Sequence, residues 1–375
     1  MIPEDPSPMR REGPIREILS SAPAWLSGGG QDADVVLSSR VRLARNISGF
    51  NFVGKSDISE RGAVMNLVRK NLTKAGVIAE DDKSTCWLDV SKLDEFSLEA
   101  LKERQIISRL LAKGHKASGE KAEQDPRAVV VFRPGERVSI MVNEEDHLRM
   151  HAVRPGLTLD ETLAEISEID DKVESVLEYA FSPRFGYLTA CPTNVGTGIR
   201  VSVMLHLPAL RILGEIEKVK RAAADMSLAL RGFWGEGSEA DGDFYQLSNQ
   251  TTLGKTEELL LSDIQGSIVP RVIEFERKAR EKLLNQRREF TEDLVYRSLG
   301  ILTHARRLSA AEAMSKLSEI RLGHSLGLLQ SPDVSTINRL LLLVHPAHLQ
   351  HAAGRLLGQG ERKAARATLM RETLC

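Results

Sequence analysis

The sequence is poor in cysteine, and its few cysteines form no pattern. The chain of 375 residues contains three of them, Cys86, Cys191 and Cys375, at unrelated spacings and without a Cys-x-x-Cys pair. An odd number of scattered cysteines supports neither a disulfide framework nor a zinc site. We therefore expect a protein of the reducing cytoplasm with no metal site built from its own side chains.

An excess of either charge and any long apolar run are also missing. Lys and Arg number 51 against 52 Asp and Glu, so the chain lacks the basic excess typical of nucleic-acid-binding proteins. No apolar stretch reaches the ~20 residues that span a bilayer, and residues 1–13 carry prolines and charges. We expect neither a nucleic-acid partner nor a membrane location, and locally clustered arginines must hold any bound anion.

Composition divides the chain into three parts. Residues 1–34 are rich in Pro, Gly and Ser and predict an irregular arm with one short helix at 15–20. Residues 35–265 alternate short β-like runs with amphipathic helices, and residues 266–375 are helical and rich in Leu, Arg and Lys. The segment 337–344 is too short to span a membrane and predicts a buried helix at a core or dimer interface.

Local patterns in the middle part predict a partly antiparallel sheet. Helices are expected at 60–75, 98–111 and 207–230, and strands at 85–90 and 242–247. The runs 128–132 and 137–142 flank a short loop with turn residues, Arg-Pro-Gly-Glu, so they predict an antiparallel hairpin. This hairpin argues against a Rossmann or P-loop architecture.

Two strings place charged groups at strand positions. The first contains Arg40 and Arg42, which alternate along an extended segment and so project to one face of the sheet, where two guanidinium groups suit a polyphosphate. The second places Glu144, Glu145 and Asp146 at the end of the predicted hairpin, where carboxylates suit a base or a metal ligand. Each has a plainer interpretation, as surface cations and as a solvated turn.

Two further strings combine glycines with arginines. Residues 191–202, Cys-Pro-Thr-Asn-Val-Gly-Thr-Gly-Ile-Arg-Val-Ser, read as a loop opening into a helix, where backbone amides and Arg200 approach an anion. Residues 231–236, Arg-Gly-Phe-Trp-Gly-Glu, offer another arginine and another carboxylate. Taken alone, Cys191 is most simply a buried small hydrophobe, and the glycine spacing fits neither a P-loop nor a dinucleotide fold.

In order and together, the strings SSRVRLARN, NEEDHLR, CPTNVGTGIR and RGFWGE resemble the signature segments of the creatine/arginine kinase superfamily, from about residue 35 to about residue 280. The resemblance implies an α+β, glutamine-synthetase-like catalytic domain, with a curved antiparallel sheet flanked by helices, and an all-α C-terminal domain. It implies that Mg-ATP is held by a cage of arginines: Arg40, Arg42, Arg149, Arg200 and Arg231.

The same resemblance implies roles for single residues. Glu145 would be the general base, Glu236 the second carboxylate that grips the guanidinium, and Cys191 a neighbour of the reacting nitrogen. These residue types suit phosphorylation of a guanidinium, because a guanidinium with a pKa above ~12 is inert until a carboxylate orients it and accepts its proton. The implied ATP contacts also include neighbours of the cage: Ser38, Ser39, Val41, Val201, Ser202, Val203, Met204, Gly232, Phe233, Trp234, Gly235 and Glu236.

The departures from small-molecule phosphagen kinases indicate which branch the chain resembles. Those enzymes carry a large helical N-terminal domain that closes over a free guanidino compound, whereas only 37 residues precede Ser38 here and a helical region follows the catalytic part. This is the arrangement of bacterial protein arginine kinases of the McsB type. The resemblance implies arginine-containing client proteins, a homodimer formed through the helical domain, a Clp-type protease system and a separate activator.

Two positions depart from that branch. Arg362 and Arg366 match an R-D-x-x-R-A motif thought to read phosphoarginine, but Lys363 replaces its acid, and a solvated basic helix is an equal interpretation. Gln105 stands where many members carry a nucleotide-contacting histidine, and its amide can still form hydrogen bonds. Two alternatives stay open: a kinase for a free guanidino compound, and a non-catalytic phosphoarginine-binding adaptor.

Overall fold

An eight-stranded sheet occupies the middle of the molecule. The computed structural model describes residues 13–78, 84–115, 125–232 and 241–375. The strand order is β2-β3-β4-β5-β1-β8-β10-β9, and every neighbouring pair is antiparallel. The strands are β1 (Val36–Arg45), β2 (Thr85–Asp89), β3 (Ala128–Phe132), β4 (Val138–Val142), β5 (Leu148–Pro155), β8 (Ile199–His206), β9 (Leu228–Gly232) and β10 (Phe244–Asn249), with β6 (Phe181–Ser182) and β7 (Gly186–Tyr187) in a separate hairpin.

Helices cover the sheet and form the C-terminal region. In the described residues they are α1 (Pro14–Ser20), α2 (Ile58–Lys74), α3 (Glu95–Glu103), α4 (Arg109–Lys113), α5 (Leu159–Glu174), α6 (Pro208–Ile212), α7 (Ile216–Asp225), α8 (Glu257–Leu261), α9 (Val269–Gln286), α10 (Arg288–His304), α11 (Ala310–Ser325), α12 (Val334–Leu343), α13 (Pro346–Ala353) and α14 (Gln359–Leu374). This architecture confirms the predicted antiparallel sheet flanked by helices with a helical C-terminal part. None of these helices is both long enough and apolar enough to cross a membrane.

The two faces of β1 serve different purposes. Val41 and Leu43 point to one face and are buried in a core shared with α2 and α5. Arg40 and Arg42 alternate with them and therefore point to the other face. The N-cap Asp57 starts α2 by accepting a hydrogen bond from the backbone N–H of Glu60 at 2.8 Å. Helices α2 and α5 thus cover one face of the sheet at β1. The other face is open at Arg40 and Arg42, although α11 and α12 pack against apolar residues farther along it.

Two predicted helices are interrupted in the structure. The helix expected at 98–111 is two helices, α3 and α4, because Gln105 adopts a left-handed conformation with φ 61°. The helix expected at 207–230 is also two, α6 and α7, separated at Gly214 with φ 72°, and its last residues belong to β9. By contrast, the predicted helix at 60–75, the strand at 85–90 and the hairpin at 128–142 are confirmed within one or two residues.

The C-terminal helices pack against the sheet through the N-terminal arm. Trp25 and Leu26, in a 3-10 turn of that arm, are buried beside Leu37 of β1 and the apolar residues of α11 and α12. The segment predicted at 337–344 lies mainly in α12 and is buried in this cluster. It therefore belongs to a core within the chain, and the proposed dimer gains no support from it.

Candidate active site

The open face of the sheet forms the floor of a cavity of about 650 Å³ that all five predicted cage arginines line. Arg40 and Arg42 come from β1, Arg149 from β5, Arg200 from β8 and Arg231 from β9. Four strands contribute to this set, and each arginine lies at a strand position whose side chain points to the same face of the sheet. Residues spread over almost 200 positions of sequence are thereby brought to one surface.

Strand register sets the spacing of the arginines. On β1, Arg42 lies opposite Arg200 of β8 on one side and opposite His151 of β5 on the other. Burial, followed by the charge of Arg149, lowers the pKa of Arg40 to about 10. Burial and the charges of Arg149 and Arg200 lower the pKa of Arg42 as well. The site therefore concentrates cations that a polyanion would stabilise.

Buried donors without hydrogen-bond partners indicate where such an anion would bind. Arg40 Nε, Arg149 Nε and Gln105 Nε2 are all buried, and none has a partner among the described residues. The Gln105 side-chain oxygen accepts a hydrogen bond from the Arg40 guanidinium, so this glutamine orients one arm of the cage. Because unsatisfied buried donors are costly, the cavity is suited to a ligand rich in acceptor oxygens.

The turn between β4 and β5 carries two glutamates with different surroundings. Arg149 Nη1 lies 2.6 Å from each carboxylate oxygen of Glu144, and Ser108 Oγ donates to it at 2.6 Å. Burial alone would raise the pKa of Glu144, but these partners lower it to about 2. Glu145 lines the cavity, and its carboxylate makes no ion pair with any described residue. The sequence indicated Glu144 only as one of three candidate carboxylates, because nothing in the string NEEDH reveals that it pairs with Arg149.

A network behind the turn fixes its position. Asp146 Oδ1 accepts hydrogen bonds from Asn46 Nδ2 at 2.6 Å and from the backbone N–H of Ala190 at 2.7 Å. Burial raises the pKa of Asp146 to about 6 in spite of these donors. His147 Nδ1 accepts from the backbone N–H of Ile47 at 3.0 Å. Asp146 thus ties the glutamate turn to the loop that carries Cys191.

Cys191 opens a loop that runs along the cavity. A 3-10 turn at Pro192–Asn194 follows it, and the Cys191 sulfur lies 3.0 Å from Thr193 Oγ1. The loop leads into strand β8, which corrects the expected helix, since residues 199–206 alternate buried apolar groups in the manner of a strand. Gly198 has φ 68°, and a side chain there would lie 2.6 Å from the carbonyl oxygen of Ala44.

Several residues of the predicted ATP-binding set do not line the cavity. Val41, Val201 and Val203 are buried in the core on the opposite face, because the strand alternates. Ser39 donates to the carbonyl of Gly156 at 2.8 Å and so anchors a loop. Ser38, Ser202, Met204 and Gly232 do not line the cavity either. The remaining residues of the prediction, Phe233, Trp234, Gly235 and Glu236, lie outside the described part of the chain.

The two arginines of the C-terminal motif differ in exposure. The Arg366 side chain is buried, and its guanidinium donates to the carbonyls of Val344 at 2.7 Å and Leu308 at 2.9 Å. Arg362 is partly exposed and donates to the carbonyl of Leu357 at 3.0 Å. Arg366 is therefore engaged in holding helices together, and a phosphate would have to compete with main-chain carbonyls for it.

The cavity also contains residues that sequence reasoning did not select. On β5, His151 follows Arg149 by two positions, so strand alternation could have found it. Burial and the neighbouring Arg40, Arg149 and Arg42 lower the pKa of His151, which is therefore neutral. His345 and Pro346, from the C-terminal helices, line the cavity as well. No local sequence signal indicates that such a distant segment reaches the site.

Comparison with known proteins agrees with this geometry. Residues 63–279 match the family described as ATP:guanido phosphotransferase, C-terminal catalytic domain. The chain belongs to this family of kinases, which use ATP. Residues 288–375 match the family described as Protein-arginine kinase McsB C-terminal domain.

Three relatives that match this chain over more than nine-tenths of their length are each named protein-arginine kinase. A protein-arginine kinase of Halalkalibacterium halodurans is 42% identical over 96% of this chain and 97% of the relative. Those of Halothermothrix orenii and Geobacillus thermodenitrificans are 40% and 42% identical over 93% and 94% of this chain, and 96% and 93% of the relatives.

Solved structures show the same fold at lower similarity. A lombricine kinase matches with a TM-score of 0.55 and 24% identity over 70% of this chain and 75% of that protein. The duplicated taurocyamine kinase of Schistosoma mansoni, with bound transition-state-analogue components, also matches with a TM-score of 0.55 and 24% identity, over 69% of this chain and 35% of that protein.

Proposed function

We propose that this chain is a protein arginine kinase, which transfers the γ-phosphoryl group of ATP to arginine side chains of other proteins. The observation that carries the proposal is the cavity itself, where five arginines and the carboxylate of Glu145 face one space. Similarity to proteins named protein-arginine kinase over more than nine-tenths of the chain supports the choice of acceptor.

The cage arginines would bind and neutralise the phosphates. Phosphoryl transfer depends on positioning and on neutralising charge spread over phosphate oxygens. Planar, permanently charged guanidinium groups supply both through paired contacts. The buried donors on Arg40 and Arg149 fit this role. Mg²⁺ bound to the phosphates would supply further charge neutralisation. No group of three or more His, Cys, Asp or Glu side chains that could hold a metal ion occurs in the described residues.

Glu145 would act on the acceptor arginine. An N–P bond forms between a guanidinium nitrogen and the γ-phosphorus as the bond from that phosphorus to the β,γ-bridging oxygen breaks, and ADP leaves. The proton of the attacking nitrogen passes to the Glu145 carboxylate. Glu144 is unsuited to this role, since its carboxylate is buried and paired with Arg149. We retain Glu236 as the second carboxylate on the guanidinium and Cys191, which lines the cavity, as a neighbour of the reacting nitrogen.

The proposal includes the cellular setting that the resemblance implied. Clients would be cytoplasmic proteins with accessible arginines, marked by phosphorylation for a Clp-type protease. A separate activator and a homodimer formed through the helical region complete it. The helical domain boundary near residue 265 is also retained as part of this proposal, as is phosphoarginine binding at Arg362 and Arg366.

Mass spectrometry would test the acceptor directly. The chain is incubated with Mg-ATP and an arginine-rich protein in one reaction, and with free arginine in another, and phosphoarginine is sought in both. Product on the protein alone supports the proposal, whereas product on free arginine alone favours a small-molecule kinase. Phosphoarginine binding without any transfer would favour an adaptor. Glu145→Gln serves as the control for transfer that depends on this cavity.

A further inference from the structure

The junction between α12 and α13 reaches into the cavity. His345 and Pro346 line it together with the arginines of the sheet, although they lie in the helical C-terminal region, more than 100 residues beyond Arg231. His345 is 7% exposed. The C-terminal region therefore forms part of the wall of the same space, in addition to packing against the sheet.

Both flanks of this junction are held in place. On one side, Arg366 Nε donates to the carbonyl of Val344 at 2.7 Å. On the other, the Glu103 carboxylate accepts from the backbone N–H groups of Ala347 at 2.8 Å and His348 at 3.0 Å. Glu103 also lines the cavity. A junction fixed at residues 344, 347 and 348 presents His345 and Pro346 in a defined orientation.

The chemistry of this wall differs from that of the cage. The charged residues of α3 that line the cavity beside it are Glu99, Lys102 and Glu103, and the lysine is paired with Glu99. Carboxylates repel phosphate oxygens, so the polyphosphate belongs at the arginines. Burial lowers the pKa of His345 to about 4 in spite of the opposing charge of Glu103, so the imidazole is neutral at pH 7. A neutral imidazole beside a proline ring suits an uncharged, heterocyclic ligand group.

We propose that His345 and Pro346 form the wall of the nucleotide site that receives the base and ribose of ATP. The C-terminal helical region is then a structural component of the nucleotide site. This inference rests on the proposed function only in taking ATP as the ligand of the cavity.

Calorimetry on the full-length chain separates the two ends of the site. ATP and inorganic tripolyphosphate are titrated into wild type, His345→Ala, His345→Gln and the matched control His351→Ala, a histidine of α13 that does not line the cavity. We expect His345→Ala to weaken ATP binding about three- to tenfold, as for one lost hydrogen bond, with tripolyphosphate affinity unchanged. His345→Gln should recover part of the loss, and His351→Ala should match wild type.

A measurement on the wild-type chain covers the case in which His345→Ala does not fold. Photolabelling with 8-azido-ATP should mark peptides from residues 340–348, and excess ATP should prevent the label. Label confined to the catalytic part would overturn the inference, and so would unchanged ATP affinity in a folded His345→Ala protein. If ATP does not bind wild type at all, the proposed function fails together with the inference. Normal binding without a His345 effect removes the inference alone.

Discussion

Substitutions of the two neighbouring glutamates in the β4–β5 turn are predicted to affect turnover and ATP affinity differently. Glu145→Gln keeps the size of the side chain but cannot accept a proton, so transfer should fall by ~10²- to 10⁴-fold. ATP affinity, measured by calorimetry, should stay within about twofold of wild type, because Glu145 is not engaged with the cage arginines. Near wild-type turnover in this variant would remove Glu145 from the role of base.

Glu144→Gln is the matched comparison. Glu144 holds Arg149 and Ser108, and its pKa is lowered to about 2 by those partners against the effect of burial. Replacing it should loosen Arg149 and weaken ATP binding along with turnover. If both variants lost only turnover, the distinction drawn here between a paired and an available carboxylate would be wrong.

Cysteine reactivity gives a second prediction for single residues. Cys191 is partly exposed in the cavity wall, whereas Cys86 is buried and its thiol pKa is raised by that burial. Limited iodoacetamide treatment should therefore modify Cys191 and the exposed Cys375 but leave Cys86 intact. ATP should protect Cys191 and leave Cys375 unprotected. Peptide mapping beside an activity assay would check this, and activity lost through Cys375 alone would contradict it.

At the scale of the elements, Arg366 joins three helical segments through main-chain carbonyls. From α14, its guanidinium reaches the end of α12 at Val344 and the residue Leu308 before α11. Arg366→Ala leaves these buried carbonyls without donors, so it should lower the free energy of unfolding by about 1–3 kcal/mol. Arg362→Ala, which removes one partly exposed contact, should cost less than half as much in the same urea titration. Equal effects would mean that Arg366 is not a helix anchor.

Some elements and their site residues could be predicted from the sequence, and others could not. Arg40 and Arg42 were predictable, because strand alternation places both side chains on one face. Arg149, Arg200 and Arg231 were placed in the set by the family resemblance. The prediction of one continuous helix at 207–230 was wrong, because Gly214 and Ser227 adopt positive φ, which an amphipathic pattern does not reveal. The prediction of a helix after the Cys191 loop was also wrong, because a glycine-containing loop can lead into a strand as well as into a helix.

The remaining site residues could not be predicted, because long-range contacts select them. His345 reaches the cavity because α13 packs on α3, where Glu103 accepts hydrogen bonds from the backbone N–H groups of Ala347 and His348. The family resemblance selected Glu145, but the chemistry of the string alone does not separate it from Glu144, which the structure pairs with Arg149. Burial and pairing arise from the fold as a whole, and no local window contains them.

At the scale of the whole molecule, the contact between the sheet part and the C-terminal helices is predicted to lose the contribution of His348 in acid. His348 Nδ1 lies 2.7 Å from Glu103, and its Nε2 faces Arg104, which can only donate. The ring is therefore neutral, and burial lowers its pKa to about 3. The unfolded chain, with an ordinary histidine pKa near 6.5, binds the proton first. The stability that His348 contributes is complete above pH 6.5 and is lost progressively as the pH falls toward 3.

A substitution of His348 separates its effect on stability from that of Glu103, which has the opposite pH dependence. Burial raises the pKa of Glu103 to about 7, so its protonation favours the folded chain between pH 7 and pH 4.5 and opposes the His348 effect over that range. His348→Gln can still donate to Glu103 and accept from Arg104, but it does not titrate. In urea unfolding at pH 8, 7, 6 and 5, the variant should lose less stability below pH 6.5 than wild type. Parallel curves for the two proteins would contradict the assignment.

The position of β1 in the sheet has a consequence for how the chain is made. This strand is synthesised first, yet it lies between β5 and β8, and β8 ends more than 150 residues further along. At typical rates of synthesis, roughly ten to thirty seconds pass before both neighbours of β1 exist. Arg40 and Arg42 cannot meet Arg200 during that time. A nascent chain therefore lacks the assembled arginine cavity until β8 has been synthesised and has paired with β1, the longest-range pairing of the sheet.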